Sequence, residues 1–254
     1  MAEKEGKYIY CIIATSQERN FGPIGIGSRG DDVLTIGYDD LSMVVSNHPM
    51  ARFTVSRDNM LAHQKVIEKV MEEFDSVLPV RFGTIAASAD EVRNLLDRRC
   101  REFKTLLRDM GHKVELGIKG LWKDMEAIFK EIAKENKDIN GAKERIQSDK
   151  NIQAKIEIGK MVEQALAKKK EKEADRIAGS LRRTAFDYKP NKTIGDAMFM
   201  NASFLVDKGR EKEFDNIMND LNDEYKDRIK FMYAGPLPVF NFVNIVIYPE
   251  EWEK

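Results

Sequence analysis

The sequence predicts an α+β protein of two domains, and three features of the 254-residue chain indicate this class. Runs rich in β-branched and aromatic residues, such as 7–14, alternate with segments whose apolar residues recur at helical spacing. Glycine-containing turns separate these runs, as in the hairpin pattern around residues 37–40. Between about 121 and 183 the composition changes to lysine and glutamate with few apolar residues, which predicts a charged helical hairpin.

From its start the chain has the element order strand, hairpin, helix, strand, helix, strand, and the first expected domain, residues 1–110, holds all of these but the last strand. This order favours a ferredoxin-like arrangement, in which helices cover one face of a sheet. Asp58 is placed to cap the first helix, whose apolar stripe includes Met60. Ser88 and Glu91 stand three residues apart in the capping-box pattern, so we expect the second helix to begin there.

The second expected domain, residues 111–254, combines the charged hairpin with an α+β core and ends in a Gly-Pro-x-Pro turn and a tail. Alternating or helical apolar patterns predict its other elements, which are strands at 114–118, 198–206 and 229–233 and a helix at 214–225.

Charge and composition exclude several functional classes. Lys+Arg 42 against Asp+Glu 43 leaves a net charge of -1, so there is no basic excess to attract nucleic acid or an anionic membrane. The apolar runs are far shorter than the ~18 residues of a membrane-spanning helix. The first residues are polar and acidic, and the cysteines, Cys11 and Cys100, have no metal-ligand spacing. We therefore expect a cytoplasmic protein with reduced, core-packed cysteines.

No motif predicts catalysis, a cofactor or a metal. Gly25-x-Gly27-x-x-Gly30 matches the dinucleotide fingerprint in spacing, but it leads into a hairpin and not into a helix that could hold a pyrophosphate. No histidine stands at helical ligand spacing from another histidine or a cysteine, and His63 is expected to be a hydrogen-bonded core residue. No nucleophile elbow is present. The expected protein is not an enzyme.

The segment 78–84 places Arg81 inside an apolar run, between a proline and a glycine. Burying an unpaired charge is heavily penalised, so this arginine needs fixed partners. We favour a buried arginine that binds strand carbonyls or a carboxylate. The alternative is an arginine that binds an anionic ligand with help from Thr84. The structural motif predicted here comprises Pro79, Arg81, Phe82, Gly83 and Thr84.

The turn that begins at Gly235 is followed by an apolar, aromatic stretch with two interpretations. It can close the core, or it can form an apolar docking edge for another protein. Its two prolines favour docking, because they reduce the entropy lost on binding. The candidate partner-binding residues are Leu237, Phe240 and Phe242.

Three parts of the chain together resemble a known family. They are residues 8–13, the stretch from His63 through Pro-Val-Arg-Phe-Gly-Thr at 79–84 to Trp122, and the stretch from Asn201 to Gly-Pro-Leu-Pro at 235–238. In these segments, which follow one another over nearly the whole chain, the sequence is similar to the gas vesicle accessory proteins GvpF/GvpL. The family tends to read Gly-Pro-Trp-Pro-Pro-Tyr-Ser-Phe where this chain has Gly-Pro-Leu-Pro-Val-Phe-Asn-Phe.

The resemblance implies a fold and a function. The implied fold is a ferredoxin-like amino-terminal domain followed by an α+β carboxy-terminal domain with prominent helices. The implied function is that of a non-enzymatic accessory or minor structural protein of gas vesicle assembly, which binds the hydrophobic shell protein and other gas vesicle proteins. The implied location is the cytoplasm and the gas vesicle. Two alternatives stay open: a small-molecule-binding or enzymatic protein that uses the sheet as a ligand site, and an RNA-binding protein.

Overall fold

The computed structural model describes residues 5–27, 29–50, 55–136, 138, 139, 141 and 152–247. The strands in these residues are β1 (Glu5–Ala14), β2 (Leu34–Tyr38), β3 (Leu41–Pro49), β4 (Val77–Pro79), β5 (Ile85–Ala86), β6 (Lys113–Trp122), β7 (Ala185–Pro190), β8 (Met198–Asp207) and β9 (Ile229–Leu237). The helices are α1 (Arg57–Met71), α2 (Ala89–Arg98), α3 (Cys100–Asp109), α4 (Met125–Glu135), α5 (Ile152–Leu181) and α6 (Glu211–Tyr225). A 3₁₀ turn at Lys208–Arg210 precedes α6.

This mixture of helices and antiparallel pairings confirms the predicted α+β class. The chain divides into two compact units: the first comprises Met1–Glu115 and Pro236–Lys254, and the second Leu116–Gly235. The sequence places a domain boundary at residues 110 and 111 and assigns the tail to the second domain. In the structure the tail groups with the first unit. None of the described helices is both long enough and apolar enough to cross a membrane.

The sheet of the first unit has the strand order β2-β3-β1-β4, and β5 also pairs with β1. Strand β1 pairs antiparallel with β3, and a bulge makes Tyr10 the extra residue between Ile9 and Cys11. The expected ferredoxin-like arrangement is not confirmed in this unit, because β2 follows β1 with no described helix between them.

Strand β1 is buried on both faces. Tyr8, Tyr10 and Ile13 join a cluster with residues of α1, and Ile9 and Ile12, which point the other way, are also fully buried. Helices α2 and α3 contact the sheet without contributing to that cluster. The expectation of helices on one face is therefore not confirmed for this sheet.

Side-chain caps fix where two helices of the first unit begin. Ser56 caps α1 by accepting a hydrogen bond from the Asn59 N–H (3.2 Å), so the cap is not Asp58. The capping box at α2 is confirmed, since the Ser88 hydroxyl accepts from the Glu91 N–H (3.1 Å). The Glu91 carboxylate in turn accepts from the Ala87 N–H. The second predicted helix is divided into α2 and α3.

The sheet of the second unit has the strand order β7-β8-β6-β9. Its elements follow one another as strand, helices, strand, strand, helix, strand, which is the split βαβ order of ferredoxin-like units. Aromatic rings contribute to the core of this unit: Phe204 on β8 lies edge-to-face on Phe214 of α6, with ring centroids 5.3 Å apart.

One glycine of β6 is required by packing. A Cβ at Gly120 would lie 2.6 Å from Cζ of Phe199, closer than real Cβ contacts. The space left by this glycine admits the Phe199 ring, which stacks on Trp122 at 5.2 Å.

Candidate functional site

A groove of about 750 Å³ lies beside helix α1 in the first unit. We call it the α1 groove. It is lined by one side of α1 and the residues just before it, by the turn after β4, and by the C-terminal segment. The lining residues are Val55, Ser56, Arg57, Met60, Leu61, His63, Gln64, Pro79, Arg81, Phe82, Phe240, Val243, Asn244 and Ile245.

One side of helix α1 packs in the core, and another side lines the groove. Its buried side runs from His63 to Val70, and this spacing covers the sheet. Met60 and Leu61 precede that stripe and are 52% and 44% exposed. The prediction that Met60 points inward is therefore wrong, because the core-facing stripe begins at His63, almost one turn later.

The turn after β4 exposes the arginine that the sequence placed in the core. Val80 is buried and its N–H donates to the Tyr10 carbonyl (2.9 Å), but β4 ends at Pro79. Arg81 follows where the chain leaves the sheet, and its side chain is exposed and lines the groove. The predicted buried arginine is wrong. Exposure leaves the guanidinium hydrated and avoids the cost of burying it.

The rest of the 79–84 motif forms this turn. Gly83 has φ +85°, a conformation that favours glycine, and its N–H donates to the Tyr8 hydroxyl (3.0 Å). The Thr84 hydroxyl donates to the Arg81 carbonyl (2.7 Å), so in this structure Thr84 serves the turn. Phe82 lies edge-on to the ring of His63, with centroids 5.6 Å apart.

His63 forms the floor of the groove and is 2% exposed. Its Nδ1 is 2.9 Å from the Tyr8 hydroxyl, so the expected hydrogen-bonded core histidine is confirmed. Among the described residues Nε2 has no partner at hydrogen-bonding geometry. Burial lowers the pKa of His63 to about 4, and the Val80 backbone acts in the opposite direction. The ring is therefore neutral at physiological pH.

A second aromatic hydroxyl extends this polar network behind the floor. The Tyr10 hydroxyl lies 2.8 Å from Ser46 Oγ and accepts from the Ile26 N–H (2.8 Å). Its ring stacks on His63 at 5.6 Å. Burial raises the pKa of both Tyr8 and Tyr10, so these hydroxyls stay protonated.

The C-terminal segment forms the other wall of the groove and is anchored by Glu115. The Asn241 N–H donates to Glu115 Oε2 (2.9 Å), and the Asn241 amide donates to Oε1 (2.5 Å). The Arg99 guanidinium donates to the Val246 carbonyl (2.9 Å). These bonds join residues 126 and 147 positions apart and group the tail with the first unit.

The candidate partner-binding residues are separated by this arrangement. Phe240 is 38% exposed, lines the groove and lies 6.2 Å from the His63 ring. Leu237 and Phe242 are half-buried and do not line it. The sequence reasoning missed Arg57 and Leu61. A signal was available, since adjacent apolar residues at 60 and 61 cannot both lie at the centre of one helical stripe.

The second unit contains a charged cluster of a different kind. Arg228 binds two carboxylates: its Nη1 and Nη2 lie 2.6 and 2.9 Å from Glu131, and its Nε lies 2.9 Å from Glu173. Lys169 adds bonds to Glu131 (3.0 Å) and Glu135 (2.8 Å). Arg228, and less strongly Lys169, lower the pKa of Glu131 to about 2. This cluster joins α4, α5 and the turn before β9.

An exposed acidic pair in the first unit already binds a lysine. Asp39, Asp40 and Cys100 lie close enough to share an ion. The Lys104 ammonium is 3.0 Å from Asp39 and 2.6 Å from Asp40, and it lowers the pKa of Asp40. Acidic groups that already share a cation do not indicate a metal site.

Comparison with solved structures shows that this fold is that of gas vesicle proteins. The crystal structure of the gas vesicle protein GvpF from Anabaena sp. PCC7120 matches with a TM-score of 0.81 and 21% identity, covering 96% of this chain and 100% of that chain. GvpF from Microcystis aeruginosa matches with a TM-score of 0.79 and 22% identity, covering 94% of this chain and 99% of that chain.

Sequence comparison shows the family. The model of the family "Gas vesicle synthesis protein GvpL/GvpF" matches residues 6–244, and the chain belongs to this family. Gas vesicle protein F of Streptomyces sp. (strain CB03234) is 29% identical over 93% of this chain and 99% of its own length. Gas vesicle protein F1 of Halobacterium salinarum is 26% identical over 97% of each chain. The resemblance found in the sequence is confirmed, and it supports a role in gas vesicle assembly.

Proposed function

We propose that this protein acts in gas vesicle assembly without catalysing a reaction, by binding the hydrophobic shell protein and other gas vesicle proteins. The observation that carries the proposal is the exposure of apolar side chains at the α1 groove. Val55, Met60, Leu61 and Phe240 are 74%, 52%, 44% and 38% exposed, respectively. Contiguous exposed apolar surface with a polar rim is typical of protein-binding sites.

An exposed apolar surface of this kind would be useful during gas vesicle assembly. A hydrophobic shell subunit exposes apolar area before it joins the growing wall, and that area drives aggregation. A binding protein that covers this area lowers the risk until the subunit is delivered. The groove has a buried neutral floor and a partly exposed apolar wall, so it can take an apolar segment without burying a charge on its floor.

The test is co-purification of the shell protein from a gas-vesicle-forming host with tagged variants of the full chain. We expect Met60→Asp and Phe240→Asp each to reduce the recovered shell protein about tenfold, because each places a charge in the apolar contact. Ile194→Asp is the matched control: Ile194 is 76% exposed but lies in the second unit. Leu237→Asp and Phe242→Asp show whether the partner reaches beyond the groove.

The same variants are tested in cells from which the gene has been deleted. We expect the wild-type chain and Ile194→Asp to restore gas vesicles seen by electron microscopy, and Phe240→Asp to restore few. If Met60→Asp and Phe240→Asp are folded by circular dichroism and recover as much shell protein as the wild type does, the groove is not the binding surface.

A small-molecule ligand is the second candidate, because the volume of the groove falls in the range of ~300–1,000 Å³ that is typical of ligand pockets. Arg81 and His63 also meet at it. Isothermal titration calorimetry of the protein with decanoate, an apolar carboxylate, tests this candidate. Tight binding would favour it.

A further inference from the structure

The α1 groove is lined by positively charged side chains as well as apolar ones. Two arginines, Arg57 and Arg81, are among its lining residues, and no aspartate or glutamate among the described residues lines it. Both arginine side chains are exposed. Neither forms an ion pair with any residue that the structure describes.

The acidic groups near the groove on α1 do not neutralise these arginines. Glu68 accepts a hydrogen bond from the side chain of Gln64 (2.7 Å), which itself lines the groove. Asp58 follows Arg57 in the chain but is not a lining residue. The floor adds no charge at neutral pH, because burial holds the pKa of His63 at about 4. Among the residues that the structure describes, the positive charge of the groove therefore comes from these two guanidinium groups.

We propose, on the basis of the function proposed above, that the occupant of the α1 groove is an apolar segment of a partner protein that carries an aspartate or a glutamate. Its apolar side chains pack on Met60, Leu61 and Phe240, and its carboxylate pairs with Arg57 or Arg81. Arginine suits this role, because its planar fork of N–H donors matches a carboxylate and is weakly hydrated.

The charged and the apolar side chains of the groove have different roles in recognition. The exposed apolar side chains on α1 and on the C-terminal segment supply contact area without selecting among apolar segments. An arginine at the rim rejects a segment that brings a lysine to the same place, since like charges in a partly desolvated contact repel. The groove is thereby selective for acidic apolar segments, and its affinity falls as salt rises.

The probes are fluorescent peptides of about twenty residues, enough for several helical turns, that cover the shell protein and the other gas vesicle proteins of the host. Binding of each peptide to the full chain is measured by fluorescence anisotropy at low and at high salt. Peptides that bind are remade with each Asp→Asn or Glu→Gln change. We expect one such change to weaken binding about tenfold, because it removes the charge of the ion pair.

The matching protein variants are Arg57→Glu and Arg81→Glu. At least one is expected to weaken binding about tenfold and to recover it with a peptide whose acidic residue is replaced by lysine. Arg101→Glu on α3 is the control, because Arg101 is also exposed, pairs with no acidic residue in the described part of the chain and does not line the groove. We expect this variant to bind as the wild type does.

The outcomes separate this inference from the function on which it rests. If Phe240→Asp abolishes peptide binding while Arg57→Glu and Arg81→Glu bind as Arg101→Glu does, the groove binds partners but its arginines do not recognise an acidic residue. If Phe240→Asp has no effect on peptide binding, the α1 groove is not the binding site. If decanoate binds and no peptide does, the occupant is a small molecule and the proposal is overturned.

Discussion

The two units each contain a polar network, and the two networks accommodate polar groups by different means. Beneath the α1 groove of the first unit the buried polar side chains are neutral: Tyr8 binds His63 and a backbone N–H, and Tyr10 binds a serine. The polar cluster of the second unit is charged: Arg228 holds Glu131 and Glu173 between two helices and a turn. The neutral network is almost fully buried, whereas the ion cluster is partly open to water.

This difference follows from burial. A charge with no partner is too costly in a fully buried site, so only groups that can stay neutral are found beneath the groove. At the partly exposed cluster of the second unit, water offsets some of the cost and the ions can remain. The two units should therefore respond to different conditions, the first to mild acid and the second to stronger acid and to salt.

The largest expected effect is the response of the first unit to acid. His63 has a pKa of about 4 in the folded chain against an ordinary value of 6.5. Above pH 6.5 the ring is neutral in both the folded and the unfolded chain, and the protein keeps its full free energy of unfolding. As the pH falls from 6.5 towards 4 the unfolded chain binds a proton that the folded chain does not. The free energy of unfolding should then fall by about 3 kcal/mol.

Urea denaturation at neutral pH and at about pH 4.5 measures this loss. Hydrogen exchange assigns it to peptides of the first unit. His63→Gln keeps an acceptor for the Tyr8 hydroxyl but cannot titrate, so its loss over the same range should be smaller than that of the wild type. An equal loss in both proteins would show that His63 is not the titrating group.

The acid response of the second unit belongs to a lower range of pH. Glu131 has a pKa of about 2 against an ordinary 4.5, so its contribution is present above pH 4.5 and is lost as the pH falls towards 2. Its side chain is 36% exposed, and solvent screening makes this contribution smaller than the pKa shift suggests.

The second prediction removes the central cation of the second unit. Arg228→Met leaves Glu173, whose side chain is 7% exposed, without its main charged partner. We expect a loss of about 2 kcal/mol at low salt, less than for a fully buried pair, because Arg228 is partly solvated. Denaturation with urea at low and at high sodium chloride measures the loss and its decrease as salt screens the carboxylates.

Arg210→Met is the matched control for that variant. Arg210 also holds a glutamate in a bidentate pair, with Glu213 at 2.9 Å, but both side chains are about half exposed. Exposed pairs of this kind contribute little to stability, because water screens the two charges. Equal losses for Arg210→Met and Arg228→Met would contradict the special role of the cluster.

Local pattern was enough to predict much of the fold. The hairpin of β2 and β3 and the capping box at Ser88 depend on residues a few positions apart, and the structure confirms both. The core position of His63 also follows from helical spacing. These features could be predicted because the interactions that determine them lie within one or two turns of the chain.

The features that local pattern missed depend on distant contacts. Arg81 is exposed because β4 stops at Pro79, and where a short strand stops depends on its partner β1. The tail joins the first unit through Asn241 and Glu115, 126 positions apart. The cluster around Arg228 collects glutamates 55 and 97 positions away from it. Contacts between residues so far apart in the chain cannot be predicted from local periodicity.

The smallest expected effect compares one tyrosine from each unit. The Tyr8 hydroxyl is buried and receives the Gly83 N–H while it contacts His63 Nδ1. The Tyr233 hydroxyl donates to Asp215 (2.6 Å) from a side chain that is 41% exposed. Tyr8→Phe leaves buried polar groups unpaired and should cost about 1.5 kcal/mol, whereas water can replace the bond lost in Tyr233→Phe, which should cost less than about 0.5 kcal/mol.

Thermal and urea denaturation of the two variants at neutral pH measure this difference. Both substitutions delete one oxygen atom, so hydrophobic area and volume change almost equally and the comparison isolates the hydrogen bonds. Tyr8→Phe should also expose the turn that carries Arg81 to faster hydrogen exchange, because the Gly83 N–H loses its acceptor. Equal costs for the two variants would mean that the neutral network under the groove stabilises the first unit no more than a half-exposed bond stabilises the second.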